Sequence, residues 1–234
     1  MSQSAKEKII VAVDVPNADA AARVMDELGD AVRWVKIGLQ LFTAEGPSIV
    51  NAARERGYDV FLDLKFHDIP NTAREGVRSA VALGVGMTTI HLCGGGPMVS
   101  AAVEAAGSTL VLGVTVLTSM DAAILAGTGV LNNPADQVLH LARLGTDNGL
   151  RGVVASPHEI SRLRKAFGRD LTIVTPGVRP AGADAGDQKR IMPPAEAISL
   201  GADYLVIGRP IFAAPSPRDA VLRITEEIAT AVTD

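Results

Sequence analysis

Short apolar runs rich in β-branched residues alternate along the chain with longer stretches in which apolar and polar residues recur at helical spacing. The apolar runs predict eight strands, near residues 9–13, 33–37, 59–62, 87–92, 109–116, 151–154, 171–174 and 204–207. The stretches between them predict eight helices, near residues 18–28, 44–56, 71–84, 97–106, 134–148, 158–167, 193–200 and 217–231. Glycines close to most of the predicted helix ends supply residues suited to left-handed C-caps.

Near-continuous apolar strands, each followed by a helix, are typical of parallel strands that are covered on both faces. Eight such units in 234 residues fit a closed (β/α)8 TIM barrel, for which this length is normal. A doubly wound open sheet is the alternative fold. Since no linker, low-complexity tract or repeat divides the sequence, we predict a single α/β domain over residues 1–234.

Composition and charge limit the classes of partner and the cellular compartment that we expect for this protein. The formal net charge of −4 argues against nucleic acid and against an anionic membrane surface, since both require a basic patch. Cys93 is the only cysteine, which excludes an intrachain disulfide and a thiolate metal cluster and fits a reducing compartment. The segment before Asp14 is too polar for a secretory signal, and no run of about 18 apolar residues occurs. We therefore expect a cytoplasmic protein.

Charged and polar residues follow the predicted strands. Asp63 and Lys65 lie two apart, so strand alternation places them on one face, with Asp68 on the loop beyond. Alone, this pattern also fits a surface salt-bridge cluster, which stabilises a protein by about 0 to 1 kcal/mol. The other strand ends add Asp14, Lys36, His91, Thr118, Arg179 and Arg209. Because the C-terminal strand ends of a barrel meet at one mouth, their convergence predicts an active site there.

The loops after strands 7 and 8 commonly bind phosphate in such barrels. Gly208 clears space beside the last strand, and Arg209 can hold a phosphate with two hydrogen bonds. Gln188 is the polar side chain that we expect to contact the same phosphate from the long loop 176–190. Gly208 and Arg209 alone would also fit an ordinary turn with a solvated arginine.

Residues 63–72, DLKFHDIPNT, resemble the signature of the orotidine 5'-phosphate decarboxylase family. The similarity continues in the same order and spacing over nearly the whole chain, at residues 13–14, 36–38, 117–119, 175–179, 187–190 and 206–210. Residues 181–186 are shorter or richer in alanine than in some members of the family.

The resemblance implies a homodimeric barrel that converts orotidine 5'-phosphate to uridine 5'-phosphate and carbon dioxide, the last step of de novo UMP synthesis. It implies no metal and no organic cofactor. The catalytic residues would be the charged array Lys36, Asp63, Lys65 and Asp68. Asp68 and Thr72 would reach the partner's site across the dimer interface.

The resemblance also implies how the substrate is held. Asp14 and Lys36 would contact the ribose hydroxyls, and Thr118 would contact the pyrimidine. The phosphate would be held by Arg179, Gln188, Gly208 and Arg209.

Elementary chemistry agrees with this assignment. Losing carbon dioxide from the ring leaves an electron pair in an in-plane orbital, so the carbanion needs a cation and a proton beside it. Lys65 can supply both, and flanking carboxylates favour its charged form. Asp63 and a substrate carboxylate about 4 Å apart would repel by about 4 kcal/mol at an effective dielectric constant near 20, and loss of carbon dioxide would relieve this.

Two alternatives remain at this point. The Asp-x-Lys-x-x-Asp core is also similar to that of sugar-phosphate decarboxylases and synthases that use magnesium to stabilise an enediolate. The chain could also be a catalytically silent module that binds nucleotide phosphates. Metal dependence separates the first alternative from the main prediction, and binding without turnover would identify the second.

Overall fold

The computed structural model describes residues 5–179 and 192–232. Within these ranges the chain forms a closed barrel of eight parallel strands in sequential order. The open-sheet alternative is therefore wrong, because β1 pairs with β8 as well as with β2. The strands are β1 Ile9–Ala12, β2 Trp34–Gly38, β3 Asp59–Phe66, β4 Met87–His91, β5 Leu110–Val114, β6 Gly152–Val154, β7 Thr172–Thr175 and β8 Tyr204–Ile207.

Helices follow the strands and surround the barrel. They are α1 Ala18–Leu28, α2 Leu39–Glu45, α3 Ser48–Glu55, α4 Pro70–Ala82, α5 Gly96–Glu104, α6 Ala122–Gly127, α7 Pro134–Asp147, α8 Ile160–Phe167, α9 Pro194–Ser199, α10 Arg209–Phe212 and α11 Pro217–Val232. Short 3-10 turns lie at Ala5–Lys8, Leu92–Gly94 and Pro157–Glu159. No helix in the described ranges is both long enough and apolar enough to cross a membrane.

The sequence pattern missed three helical segments. The predicted helix 44–56 is two helices, because Gly46 ends α2 with a φ of +63° and Pro47 precedes α3. The short helices α6 and α10 lie in segments that the pattern assigned to loops. Both have six residues or fewer, which is too short for helical periodicity to show.

The interior of the barrel is a small apolar cluster separate from the larger core between the strands and helices. Its buried members are Ile10, Ala12, Phe61, Met87, Leu112, Val174 and Val206. Trp34 and Tyr204 pack against this cluster, with their rings edge to face and the centroids 6.0 Å apart. Since strand side chains alternate, residues two positions beyond these interior residues also point inward, toward the C-terminal mouth.

Strand β3 is longer than predicted and is irregular. It continues past Leu62 to Phe66, so Asp63 and Lys65 belong to the strand itself. Four steps along β3, from Leu62 to Phe66, are matched by only two along β4. Lys65 has a φ of +53°, the only positive value for a residue other than glycine in the described part of the chain. This conformation costs about 1 to 3 kcal/mol and is maintained by surrounding contacts.

Candidate active site

A cavity of about 600 Å³ opens at the C-terminal mouth of the barrel. Its floor is the top of the interior cluster, where Ala12, Phe61, Val154 and Val206 present apolar surface. The charged side chains that line it are Asp14, Lys36, Asp63, Lys65, Arg179 and Arg209. Three of them lie two positions beyond an interior residue, as strand alternation requires: Asp14 follows Ala12, Lys36 follows Trp34, and Asp63 follows Phe61.

Four of these side chains form a row of alternating charge. The Lys36 ammonium donates to Oδ1 of Asp14 at 3.0 Å and lies 3.6 Å from Oδ2 of Asp63. The Lys65 ammonium donates to the same Asp63 oxygen at 2.8 Å. The side chains of Lys36 and Asp63 are only 10% and 12% exposed, whereas that of Lys65 is 29% exposed toward the cavity. The row therefore fixes two cations in a largely dry site and leaves the ammonium of Lys65 accessible to a ligand.

Gly38 makes room for one end of this row. A Cβ atom at this position would lie 2.9 Å from Nζ of Lys36 and 3.1 Å from Oδ1 of Asp14. Both distances are shorter than an ordinary van der Waals contact, so a larger residue at this position would push Lys36 and Asp14 apart. The direct contact between Asp14 and Lys36 was not predicted from the sequence, although the glycine two residues after Lys36 was a signal for it.

Asp63 is held through both carboxylate oxygens. Oδ2 accepts from Lys65, and Oδ1 accepts from the hydroxyl of Thr89 at 2.9 Å. Burial raises the pKa of Asp63, but the charges of Lys36 and Lys65 and the hydrogen bonds from Lys65 and Thr89 outweigh it, so the pKa is lowered. Asp63 is therefore ionised at neutral pH despite its burial.

Thr89 was missed by the sequence analysis. It lies on β4 two positions beyond the interior residue Met87 and is completely buried. Its hydroxyl also accepts from the backbone N–H of Lys65 at 2.9 Å. The available signal was the pair of adjacent threonines in this short strand, of which one must face the interior.

His91, at the end of β4, is half buried, and its ring centroid lies 5.6 Å from that of the exposed His67. Burial lowers the pKa of His91, as do the charges of His67 and Lys65, while Asp63 acts in the opposite direction. The imidazole is thus kept neutral beside the row of charges.

The same cavity is also lined by three of the residues predicted to hold a phosphate, Arg179, Gly208 and Arg209. Arg179 is buried, with 7% of its surface exposed, and its Nη1 donates to the carbonyl of Val178 at 2.9 Å. Arg209 begins α10 and is exposed, directly after Gly208. The half-buried Thr118 and the exposed Ser119, after β5, line the cavity as well. The cavity thus combines the charged row, on β1 to β3, with two guanidinium groups that follow β7 and β8.

Asp68 and Thr72 do not line the cavity of their own chain. Both are exposed, and Oδ1 of Asp68 accepts from the adjacent N–H of Ile69 at 2.7 Å. Ile69 itself is 68% exposed, an unusual position for a large aliphatic side chain. Within one chain the predicted array therefore lacks Asp68. The fourth charged group in contact with the row is instead Asp14, which pairs with Lys36. Gln188 lies outside the described residues.

Comparison with known proteins identifies the family. The model of the orotidine 5'-phosphate decarboxylase / HUMPS family matches residues 7–224. Orotidine 5'-phosphate decarboxylase from Opitutus terrae is 51% identical over 94% of this chain and 97% of its own length. The enzyme of the same name from Moorella thermoacetica is 50% identical over 96% and 93%, respectively.

Solved structures agree with these sequence comparisons. The crystal structure of orotidine 5'-phosphate decarboxylase from Lactobacillus acidophilus superposes with a TM-score of 0.84 at 35% identity, and the match covers 95% of this chain and 99% of that one. The fold and the sequence thus identify the same relatives. This chain belongs to the orotidine 5'-phosphate decarboxylase / HUMPS family.

Proposed function

We propose that this protein decarboxylates orotidine 5'-phosphate to uridine 5'-phosphate and carbon dioxide, without a metal or organic cofactor, as the last step of UMP synthesis. The observation that carries the proposal is the Lys65 ammonium, held 2.8 Å from Asp63 and accessible from the cavity. Relatives about half identical in sequence bear the name of this enzyme, which supports the same substrate here.

Lys65 is the proposed acid. The bond between C6 of the pyrimidine and the carboxylate breaks, carbon dioxide leaves, and the bonding electrons remain on C6. The ammonium of Lys65 stabilises this charge electrostatically and then transfers its proton to C6, giving the C–H bond of the product. Water returns a proton to Lys65 after the product leaves, so the reaction consumes one proton and no redox partner.

Asp63 orients that acid and faces the substrate carboxylate. Its second partner, Lys36, is held in turn by Asp14, so the row resists collapse when the substrate enters. Preorganised charges of this kind lower a barrier because they need no rearrangement as charge develops. In this proposal Asp14 and Lys36 contact the ribose hydroxyls, and Thr118 contacts the pyrimidine; all three line the cavity.

The phosphate is assigned to the guanidinium groups that line the cavity. Arg179 and Arg209 supply the positive charge, Gly208 allows close approach, and Gln188 is the further contact that we propose from the sequence. Binding energy from the phosphate, which does not react, can be used to hold the substrate against the charged row.

A homodimer completes the site in this proposal. Asp68, Ile69 and Thr72 are exposed next to the mouth-forming strand β3, which supports their reaching the cavity of a second copy. There Asp68 would be the second carboxylate beside Lys65, and Thr72 would contact the substrate. We further propose one catalytic domain over residues 1–234, a cytoplasmic location, and no role for nucleic acid or a membrane.

The test follows the ultraviolet absorbance of orotidine 5'-phosphate with purified protein in excess EDTA. We expect rapid conversion to uridine 5'-phosphate that added magnesium does not accelerate. Turnover of a sugar phosphate only with magnesium would favour the metal-dependent alternative. Tight binding of uridine 5'-phosphate with no conversion would instead favour the silent binding module.

A further inference from the structure

Thr89 joins the two residues on which the proposed chemistry depends. Its hydroxyl accepts from the backbone N–H of Lys65 and donates to Oδ1 of Asp63, both at 2.9 Å. A threonine hydroxyl has one proton to donate and lone pairs to accept, so these two bonds use it in both roles. The side chain is completely buried and cannot exchange these partners for water.

The backbone of Lys65 needs this acceptor because β3 departs from regular pairing there. The register between β3 and β4 shifts between Leu62 and Phe66, and Lys65 takes a positive φ. A residue in such a bulge is displaced from the ladder, and its N–H needs a partner of another kind. The hydroxyl of Thr89 supplies that partner from the neighbouring strand.

The carboxylate of Asp63 needs the same hydroxyl for its orientation. With Oδ1 fixed by Thr89, Oδ2 is directed at Lys65, 2.8 Å away, and at Lys36, 3.6 Å away. Without the hydroxyl, a buried acceptor would be left unpaired, and rotation of the carboxylate would move the Lys65 ammonium with it.

We propose that Thr89 is a positioning residue for the decarboxylation. Its hydroxyl connects the irregular backbone at Lys65 to the carboxylate of Asp63, and that carboxylate orients the Lys65 ammonium. Thr89 does not touch the substrate in this proposal, and it is absent from the cavity lining. It acts on the placement of the acid, so its loss should slow the chemical step more than it weakens binding. The inference rests on the proposed function.

The adjacent Thr88 provides a matched control. It lies on the same strand, is equally buried, and donates to the carbonyl of Leu62 at 3.0 Å. Its side chain faces the outer core, away from Asp63 and Lys65. Replacing either threonine by valine removes one buried hydroxyl with almost no change of shape, but only Thr89→Val affects the proposed acid.

The experiment compares wild type, Thr89→Val, Thr89→Ser and Thr88→Val. We expect Thr89→Val to lower kcat about ten- to hundredfold, the range that one hydrogen bond to a charged group supplies, with KM changed less than about threefold. Thr89→Ser retains the hydroxyl and should recover most of kcat. Thr88→Val should lose thermal stability while keeping kcat. Equal kcat in Thr88→Val and Thr89→Val, or no rescue by serine, would overturn the proposal.

A second measurement needs no turnover and separates this proposal from the proposed function. Carbon-13 NMR of the Asp63 carboxyl in the unliganded protein reports its pKa. The titratable groups that face this carboxyl are Lys36, Lys65 and His91, and Asp14 acts on it indirectly through Lys36. We expect the pKa to rise in Thr89→Val and to stay in place in Thr88→Val. An unchanged value in Thr89→Val would overturn the positioning role even if wild type decarboxylates the nucleotide. If the pKa of Asp63 rises in Thr89→Val but the wild-type protein does not decarboxylate the nucleotide, the positioning role of Thr89 is retained and the proposed function is rejected.

Discussion

Lys65 and Asp63 lie two positions apart on one strand, and their side chains meet at 2.8 Å between Nζ and Oδ2. In a regular strand such neighbours share a face but stand about 6 to 7 Å apart along the chain. The bulge at Lys65, with its φ of +53°, accompanies their contact. Sequence spacing predicted the shared face, and the structure shows that the two side chains form an ion pair there.

Lys65→Ala should lower kcat at least about a thousandfold, because it removes both the cation and the proton beside C6. The melting temperature should change little, since the Lys65 side chain is partly exposed and Asp63 retains Lys36. The ultraviolet assay for decarboxylation and circular dichroism measure the two effects. Lys165→Ala, an exposed lysine on α8, is the control for loss of a charge. Full activity in Lys65→Ala would refute the assignment of the acid.

Arg209→Ala should weaken turnover of orotidine 5'-phosphate by about ten- to hundredfold in kcat/KM, the value of a charge-assisted hydrogen bond to phosphate. The same substitution should have little effect on the slow reaction of orotidine, which lacks the phosphate. Comparing both substrates in wild type, Arg209→Ala and the exposed α11 variant Arg223→Ala isolates the contact. An equal loss with both substrates would place Arg209 elsewhere in the mechanism.

Gly208→Ala should fold normally but bind the nucleotide less well. A Cβ atom at Gly208 would make ordinary contacts with Phe212 at 3.5 Å and Ala12 at 3.6 Å, yet it would occupy space at the cavity wall. We expect an increase in KM of about tenfold with an unchanged melting temperature.

Gly113→Ala gives the opposite result and serves as the comparison for Gly208→Ala. Its Cβ would lie 2.7 Å from both Leu92 and Leu150, so overpacking should lower the free energy of unfolding by about 1 to 3 kcal/mol. Thermal melts and substrate titrations of the two variants separate loss of space in the cavity from loss of stability. A destabilised Gly208→Ala with normal KM would contradict the assignment.

A mixture of Lys65→Ala and Asp68→Ala chains tests the shared site. Each variant alone should be nearly inactive if Asp68 serves the partner's Lys65. After unfolding and refolding together, about half of the dimers are mixed, and each mixed dimer has one intact site, so roughly a quarter of wild-type activity should return. The measurement is the specific activity before and after co-refolding. No recovery from chains that do form mixed dimers would mean that Asp68 acts within its own subunit.

Asp63 should make stability depend on pH in the acid range. Its pKa is lowered from the ordinary value of 3.8, so the folded protein binds fewer protons there than the unfolded chain. The stabilisation is complete above pH 3.8 and is lost as pH falls below it toward the folded pKa. We expect the difference in unfolding free energy between wild type and Asp63→Asn to shrink as urea titrations move from pH 6 to about pH 3. A difference that is constant with pH would show that the ion pairs do not stabilise the fold.

The pattern of apolar runs identified all eight strands, although it ended β3 at Leu62 instead of Phe66, and it identified the charged residues near their C-terminal ends. The reason is local: alternation and apolar runs require only a few neighbouring residues, and parallel strands of a barrel have one common mouth. The same rule placed Asp14, Lys36, Asp63 and Arg209 on one cavity. The short helices α6 and α10 were not predicted, because four to six residues are too few to show a helical period.

The sequence by itself determined the alternation of eight parallel strands with helices, the order of these elements, and the acid, base and guanidinium groups available at the strand ends. Closure of the sheet into a barrel was decided by the pairing of β1 with β8. The tertiary structure decided which of these groups touch. The contact of Asp14 with Lys36, the kink at Lys65, the burial of Arg179 and the two hydrogen bonds of Thr89 all join different strands or depend on their register. Such contacts are set when the sheet closes and the interior packs, because only then are distances between strands fixed.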